Sequence, residues 1–181
     1  MAAKGKILIV DDEPANLLAL RAVLDDMGHE IVSAGSGREA LRCLMNDDFS
    51  MILMDVQMPT MDGFETALLI RSRERSRSTP IVFLTAVGRS ENEMFRGYEV
   101  GAVDYMVKPF VPGILRYKVT VLMDLQAKTA ELTAANQGLL TLNASLEERV
   151  RQRTLELEQQ GKLLEQSNEA LSQFASLASH D

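Results

Sequence analysis

The chain has 181 residues, of which 26 are acidic and 19 basic, for a formal net charge of −7. That length allows one ordinary domain plus an extra element, and the negative balance argues against a nucleic-acid surface, which needs clustered positive charge. The opening MAAKGKILIVDD reaches two aspartates after a short apolar run, so it predicts neither a signal peptide nor a membrane span, and the expected location is cytoplasmic. A lone cysteine, Cys43, excludes an intrachain disulfide framework, and its setting, EALRCLM, predicts a buried or half-buried helix face.

Up to about residue 110 two periods alternate. Strands are expected over 6–10 (KILIV), 30–34 (EIVSA), 51–55 (MILMD), 80–85 (PIVFLT) and 104–108 (DYMVK), with helices over 15–27, 37–47, 63–75 and 91–100 between them. Such alternation implies a parallel sheet covered by helices on both faces, and the near-continuous apolar runs fit strands buried on both sides. The expected fold class is α/β, a five-stranded doubly wound sheet of order 2-1-3-4-5. After KPFVPG the pattern changes: from Ile114 onward there is no proline and no strand pattern. One helix over that span would be on the order of 100 Å long, too long for the preceding domain to bury, so it needs a partner. The expected organisation is a domain over 1–121, a signalling helix over 122–170, and a distinct helical segment over 171–181.

In a doubly wound sheet, ligands sit outside the carboxyl ends of the strands. There strand 1 delivers VDDE, with Asp11 and Asp12, and strand 3 delivers Asp55 in LMDVQMP. Three carboxylates at one rim repel one another unless a hard cation sits among them, and oxygen donors favour magnesium. Taken singly, Asp11 or Asp12 could cap the first helix, ahead of Pro14, and Asp55 could start a turn. Strand 4, however, ends in Thr85 and strand 5 in Lys108, so acids, hydroxyl and lysine all fall on the same rim.

This set resembles the receiver domain of two-component response regulators: VDDE, LMDVQMPTMDGFE, PIVFLTA and VDYMVKPF match in order and spacing over about residues 5 to 125. The resemblance implies that Asp55 is the phosphoacceptor, that Asp12 binds magnesium directly with Asp11 assisting, and that the backbone carbonyl of Gln57 is a further metal ligand. It implies that Thr85 holds a phosphoryl oxygen, that Lys108 pairs with the phosphate across a cis Lys-Pro bond, and that Tyr105 moves inward on activation. The donor it implies is a histidine kinase or phosphotransfer protein, and the receiver catalyses its own phosphoryl transfer and hydrolysis. The helix over 91–100, the last strand and the helix after it would form the switch surface.

Setting Leu125 as heptad position d, the d sites continue through Leu132, Leu139, Leu146, Arg153, Gln160, Ser167 and Phe174. The a sites are Leu122, Thr129, Asn136, Asn143, Val150, Leu157, Leu164, Leu171 and Ala178. Leucine at d with asparagine at a favours a parallel two-stranded coiled coil, so a homodimer is expected. The polar sites on this seam, with Gly138 and Gly161, predict a pair poised between two packings.

The segment LSQFASLASHD (171–181) resembles the phosphoaccepting helix of sensor histidine kinases, with His180 as the histidine that is phosphorylated. His180 falls at position c, on the outside of the pair. No ATP-binding motif accompanies it, so these residues are expected to be the N-terminal portion of a receiver-linked histidine kinase. At roughly 80 Å along a helix, transfer between His180 and Asp55 within one dimer is not expected, and Asp55 would serve as an input charged by another donor.

Elsewhere, RSRERSRS (71–78) predicts a solvated helix end and loop, His29 an exposed turn residue, and the methionines at 51, 54, 58 and 61 core or loop packing. Two other function classes compete. A receiver fold could merely cap a dimerisation rod, independent of phosphorylation, but a rod cap has no need of the acid cluster, Thr85 and Lys108. A flavodoxin-like cofactor binder would offer hydroxyls and glycines after strand 1, where VDDEPAN offers carboxylates that repel a phosphate.

Overall fold

The computed structural model describes residues 5–86 and 104–178, with side chains as far as residue 173. Five short apolar runs form the strands β1 (Lys6–Val10), β2 (Glu30–Ala34), β3 (Met51–Asp55), β4 (Ile81–Ala86) and β5 (Asp104–Lys108). They pair in parallel in the order β2-β1-β3-β4-β5, the topology expected from the alternation of strand and helix. Among the described residues three helices lie between strands: α1 (Pro14–Leu24), α2 (Gly37–Asn46) and α3 (Gly63–Arg71). The fourth, α4, runs unbroken over Pro112–Ala178. The helix expected over 91–100 lies outside the described residues.

Strand alternation sorts the core into two layers. Leu8, Val10, Ile52, Met54, Ile81 and Phe83 point to one face, where α2 brings Ala40 and Leu44 and α3 brings Phe64, Ala67 and Ile70. Ile7, Ile9, Met51, Leu53, Val82 and Leu84 point to the other, where α1 brings Leu20 and Leu24 and α4 brings Leu115, Val119 and Met123. Every residue of β3 is buried, as a central strand covered on both faces requires.

The element boundaries differ from the expected ones for local reasons. The first helix ends at Leu24, and a 3-10 turn over Asp25–Met27 closes on Gly28 at φ 76°, a left-handed position that glycine takes without a Cβ penalty. α3 stops at Arg71 rather than continuing through the arginine run. There Arg71 donates to the carbonyls of Arg77 and Thr79, and buried Ser76 donates to that of Ile70. The RSRERSRS segment is therefore a built turn, although most of its side chains are exposed as expected. His29 is half-buried, correcting the expectation of exposure, and accepts the Gly5 N–H at Nδ1 over 3.4 Å. Cys43 is half-buried against the α2/α3 layer, and Met51, Met54 and Met58 are buried.

By its internal contacts the chain divides into two compact units, Met1–Thr129 and Ala130–Asp181. Leu122, the first expected seam residue of the long helix, packs against the core layer of the first unit instead. Among the described residues no helix is long and apolar enough to cross a membrane.

Candidate functional site

The sheet register decides which side chains meet. Pairing of Val10 with Met54, Asp55 with Leu84, and Ala86 with Lys108 brings the ends of β1, β3, β4 and β5 to one rim. By strand parity Asp11, Asp55 and Lys108 fall on the α1/α4 side, whereas Thr85 and Tyr105 fall on the α2/α3 side.

Lys108 is the centre of the first group. Its Nζ lies 2.6 Å from Asp11 Oδ2 and 2.8 Å from Asp55 Oδ1. Asp11 is fully buried, and Asp55 is 7% exposed. The second Asp11 oxygen, Oδ1, accepts from the backbone N–H of Glu13 at 3.0 Å and from Asn16 Nδ2 at 2.9 Å. A buried carboxylate is tolerable only when its lone pairs are used, and Asp11 uses both oxygens. Asp12, by contrast, is exposed. Neither aspartate caps α1 by its side chain: the capping position is Glu13, and the helix enters through Pro14.

Electrostatics at the rim follow from burial and crowding. Burial pushes the Asp55 carboxyl above its ordinary value; the Lys108 bond pulls it back in part, and the charges of Asp11 and Asp12 push it up again. Burial alone would lower Lys108, but its bonds to Asp11 and Asp55 outweigh that, and its ammonium is held above the usual value.

Asp11, Asp12 and Asp55 each offer a carboxylate oxygen within 4.8 Å of the others. An all-oxygen, triply anionic donor set of that size suits a hard divalent cation, so these residues fit magnesium. Gln57, the fourth expected ligand, is exposed in the loop after β3. That loop turns back under tight constraint: the Gly63 N–H donates to the Val56 carbonyl at 3.0 Å, and Thr60 takes a positive φ of 72°. An Asp62–Glu65 capping box then starts α3.

On the other side, Thr85 is 7% exposed, and its hydroxyl lies 3.4 Å from the Ala86 carbonyl, a weak contact. Tyr105 packs inward, its ring 5.6 Å from that of Phe83. The Lys108–Pro109 bond is cis. His180 lies outside the described residues.

Two residues of the site were not anticipated. Asn16 positions Asp11, and the available signal was a polar side chain in the first turn of α1, five residues after Asp11. Gly63 permits backbone contact with the Asp55 carbonyl, and only the neighbouring capping pattern hinted at it.

The response regulator receiver domain family matches residues 7–120. This chain belongs to that family. Among curated receiver proteins it is 40% identical over 129 residues to the transcriptional regulatory protein SrrA of Staphylococcus aureus, covering 70% of this chain and 52% of SrrA. The chain spans about half the length of the curated relatives it matches. Among solved structures, the chemotaxis protein CheY4 of Vibrio cholerae superposes with a TM-score of 0.63 at 36% identity, covering 66% of this chain and 99% of that one. The receiver domain of the sensor histidine kinase PA1611 from Pseudomonas aeruginosa superposes with a TM-score of 0.62 at 30% identity, over 67% of this chain and 99% of that one. That structure is described with a magnesium ion coordinated in its active site cleft.

Proposed function

We propose that this receiver accepts a phosphoryl group on Asp55 in a magnesium-dependent reaction and passes its state to a dimer formed through α4. The observation that carries the reading is Lys108, which bridges Asp55 to Asp11 while Asp12 stands exposed beside them.

The donor we assign is the phosphohistidine of a kinase or phosphotransfer protein. An Asp55 carboxylate oxygen attacks phosphorus, the phosphorus–nitrogen bond breaks, and the leaving imidazole takes up a proton. The product is an acyl phosphate on Asp55. Asp12, Asp11, Asp55 and the Gln57 carbonyl would hold the metal, which supplies charge neutralisation between nucleophile and phosphoryl group when bound. Lys108, already on Asp55, offers the second positive contact to the phosphoryl oxygens. The Thr85 hydroxyl, weakly engaged in the structure, is free to swing to a phosphoryl oxygen, and Tyr105 fills the space behind it.

Intact mass after incubation with magnesium and acetyl phosphate tests this. One added phosphoryl group, lost in Asp55→Asn, is the expected result. No addition to the wild type would overturn it and leave the phosphorylation-independent dimerisation rod as the reading.

The same reading makes the dimer a parallel coiled coil of two copies, since α4 exposes Leu132, Leu139 and Leu146 along one stripe. For the output we favour a histidine kinase, on the resemblance of 171–181 to a phosphoaccepting helix and the kinase-borne receiver of PA1611. The name of SrrA favours a second reading, a transcriptional output. The protein purified from its native cells distinguishes them. Acid-labile label from ATP that disappears in His180→Gln supports the kinase; sequence-specific DNA binding without such label supports the second.

A further inference from the structure

We propose that the α4 pair carries a break in register: one heptad frame holds up to Leu146, and a second, displaced by four residues, holds from Val150 onward. This rests on the parallel-dimer reading above and states which residues of the second copy each stretch meets.

The first stretch has a consistent grammar. Leu132, Leu139 and Leu146 occupy d, and Asn136 and Asn143 occupy a. Continued without a break, that frame puts Arg153, Gln160 and Ser167 at d and moves the leucines to a. Arg153, which hydrogen-bonds Glu156 at 2.8 Å in the single chain, would then lie in the seam opposite the same charge of its copy. Displaced by four residues, the frame puts Leu157, Leu164 and Leu171 at d, with Thr154, Gly161 and Asn168 at a. The grammar of the first stretch returns: leucine at d, small or mildly polar residues at a. Leu157, Leu164 and Leu171 are 66%, 64% and 63% exposed in the single chain, an apolar stripe with nothing covering it. The seam then steps through 139, 143, 146, 150, 154, 157, 161 and 164, alternating fours and threes except for two consecutive fours around Val150. Such an inserted four locally unwinds a left-handed supercoil without breaking the helix, and α4 is continuous through this point.

Charge supports the displaced frame independently. In a parallel pair a g residue faces the e residue five positions on in the other copy. The displaced frame makes Arg153 a g residue facing Glu158 of the partner subunit, and Gln160 a g residue facing Glu165 of the partner subunit. The unbroken frame pairs Arg149 with Thr154, Glu156 with Gly161, and Leu163 with Asn168, which gives no opposite charges. The Arg153–Glu156 contact does not compete strongly, because an exposed pair of this kind contributes little. Against the displaced frame stand Leu163, left at c away from the seam, and Phe174, which moves from d to g. That is a smaller burden than burying Arg153 and Gln160 side by side with their copies.

Disulfide trapping decides between the frames, because only residues that face their counterparts within about 7 Å between Cα atoms can be bridged. In the full chain with Cys43→Ser, single cysteines are placed by Asn136→Cys, Asn143→Cys, Arg153→Cys, Thr154→Cys, Gln160→Cys and Gly161→Cys. Each variant is oxidised with copper phenanthroline and read on a non-reducing gel. The expected result is strong dimer bands at 136, 143, 154 and 161, and background at 153 and 160. Strong bands at 153 and 160 with background at 154 and 161 would overturn the inference and leave the dimer standing. Equal bands at all four distal sites would overturn it as well. Background at 136 and 143 would overturn the dimer reading itself.

Discussion

Gly63→Ala probes how closely α3 packs on the backbone of Asp55. A Cβ at Gly63 would lie 2.3 Å from the Asp55 carbonyl oxygen, 2.9 Å from the Val56 Cα and 3.1 Å from the Asp55 carbonyl carbon. All three are backbone atoms, so no side-chain rotation relieves the clash, and the Gly63–Val56 hydrogen bond at 3.0 Å pulls the two segments together. Ordinary contact at about 3.4 Å requires the backbone to move by about 1 Å, and overpacking of that kind costs about 1–3 kcal/mol. Alanine regains up to about 1 kcal/mol of helix propensity, which at its full value leaves a net loss of about 0–2 kcal/mol. A urea titration should show the midpoint lowered by up to about 1 M, for a slope of about 2 kcal/mol per molar. The phosphorylation rate should fall further than stability explains, because a displacement of about 1 Å at the reacting group can cost about 100-fold. Gly138→Ala is the control: nothing lies within 4 Å of its Cβ position, and helicity of α4 should rise slightly. A Gly63→Ala protein with wild-type midpoint and wild-type rate would refute the reasoning.

Three further outcomes follow from the site. The Asp55 carboxyl is raised in the fold, so the native state binds more protons between the unfolded value of 3.8 and the folded one, and its stabilising contribution is lost as pH rises through that window. Asp55→Asn in EDTA should therefore melt higher than wild type at pH 7, with the gap narrowing toward pH 4; a lower melting point at pH 7 would contradict this. Asn16→Ala removes one of the donors to buried Asp11 and should cost about 1.5–3 kcal/mol in urea unfolding, the range for a hydrogen bond to a charged group, and a loss under 0.5 kcal/mol would deny Asn16 its positioning role. Cys43 is pushed up by burial and then by Glu39 and Asp47, so its thiol should react with Ellman's reagent more slowly than a free cysteine at pH 8, and at the free rate in urea.

Much of this was legible because the relevant patterns are local. The strands at 6–10, 30–34, 51–55 and 104–108 are short, largely apolar runs between breakers, and burial against the sheet faces leaves such runs little choice. The acid pair, Asp55, Thr85 and Lys108 each lie at or just past the carboxyl end of a strand, so the topology alone carried them to one rim. The long C-terminal helix was legible for the same reason: a stretch without proline or strand pattern folds as one helix, α4.

What the amino-acid order determined by itself was the alternation of elements, and from it the sheet order and the edge on which the charged groups gather. Only tertiary structure decided how those groups pair. Asp11 and Asp12 are neighbours with the same side chain, yet Asp11 is fully buried, bridged to Asp55 by Lys108 and pinned by Asn16, while Asp12 is exposed. Tertiary packing likewise turned His29 partly inward, stopped α3 at Arg71 and laid Leu122 against the core. The physical reason is that hydrophobic periodicity and strand pairing repeat along the chain and can be read from it, whereas the burial of a particular side chain is decided by the partners that folding brings to it, and for a charge those partners must replace its water.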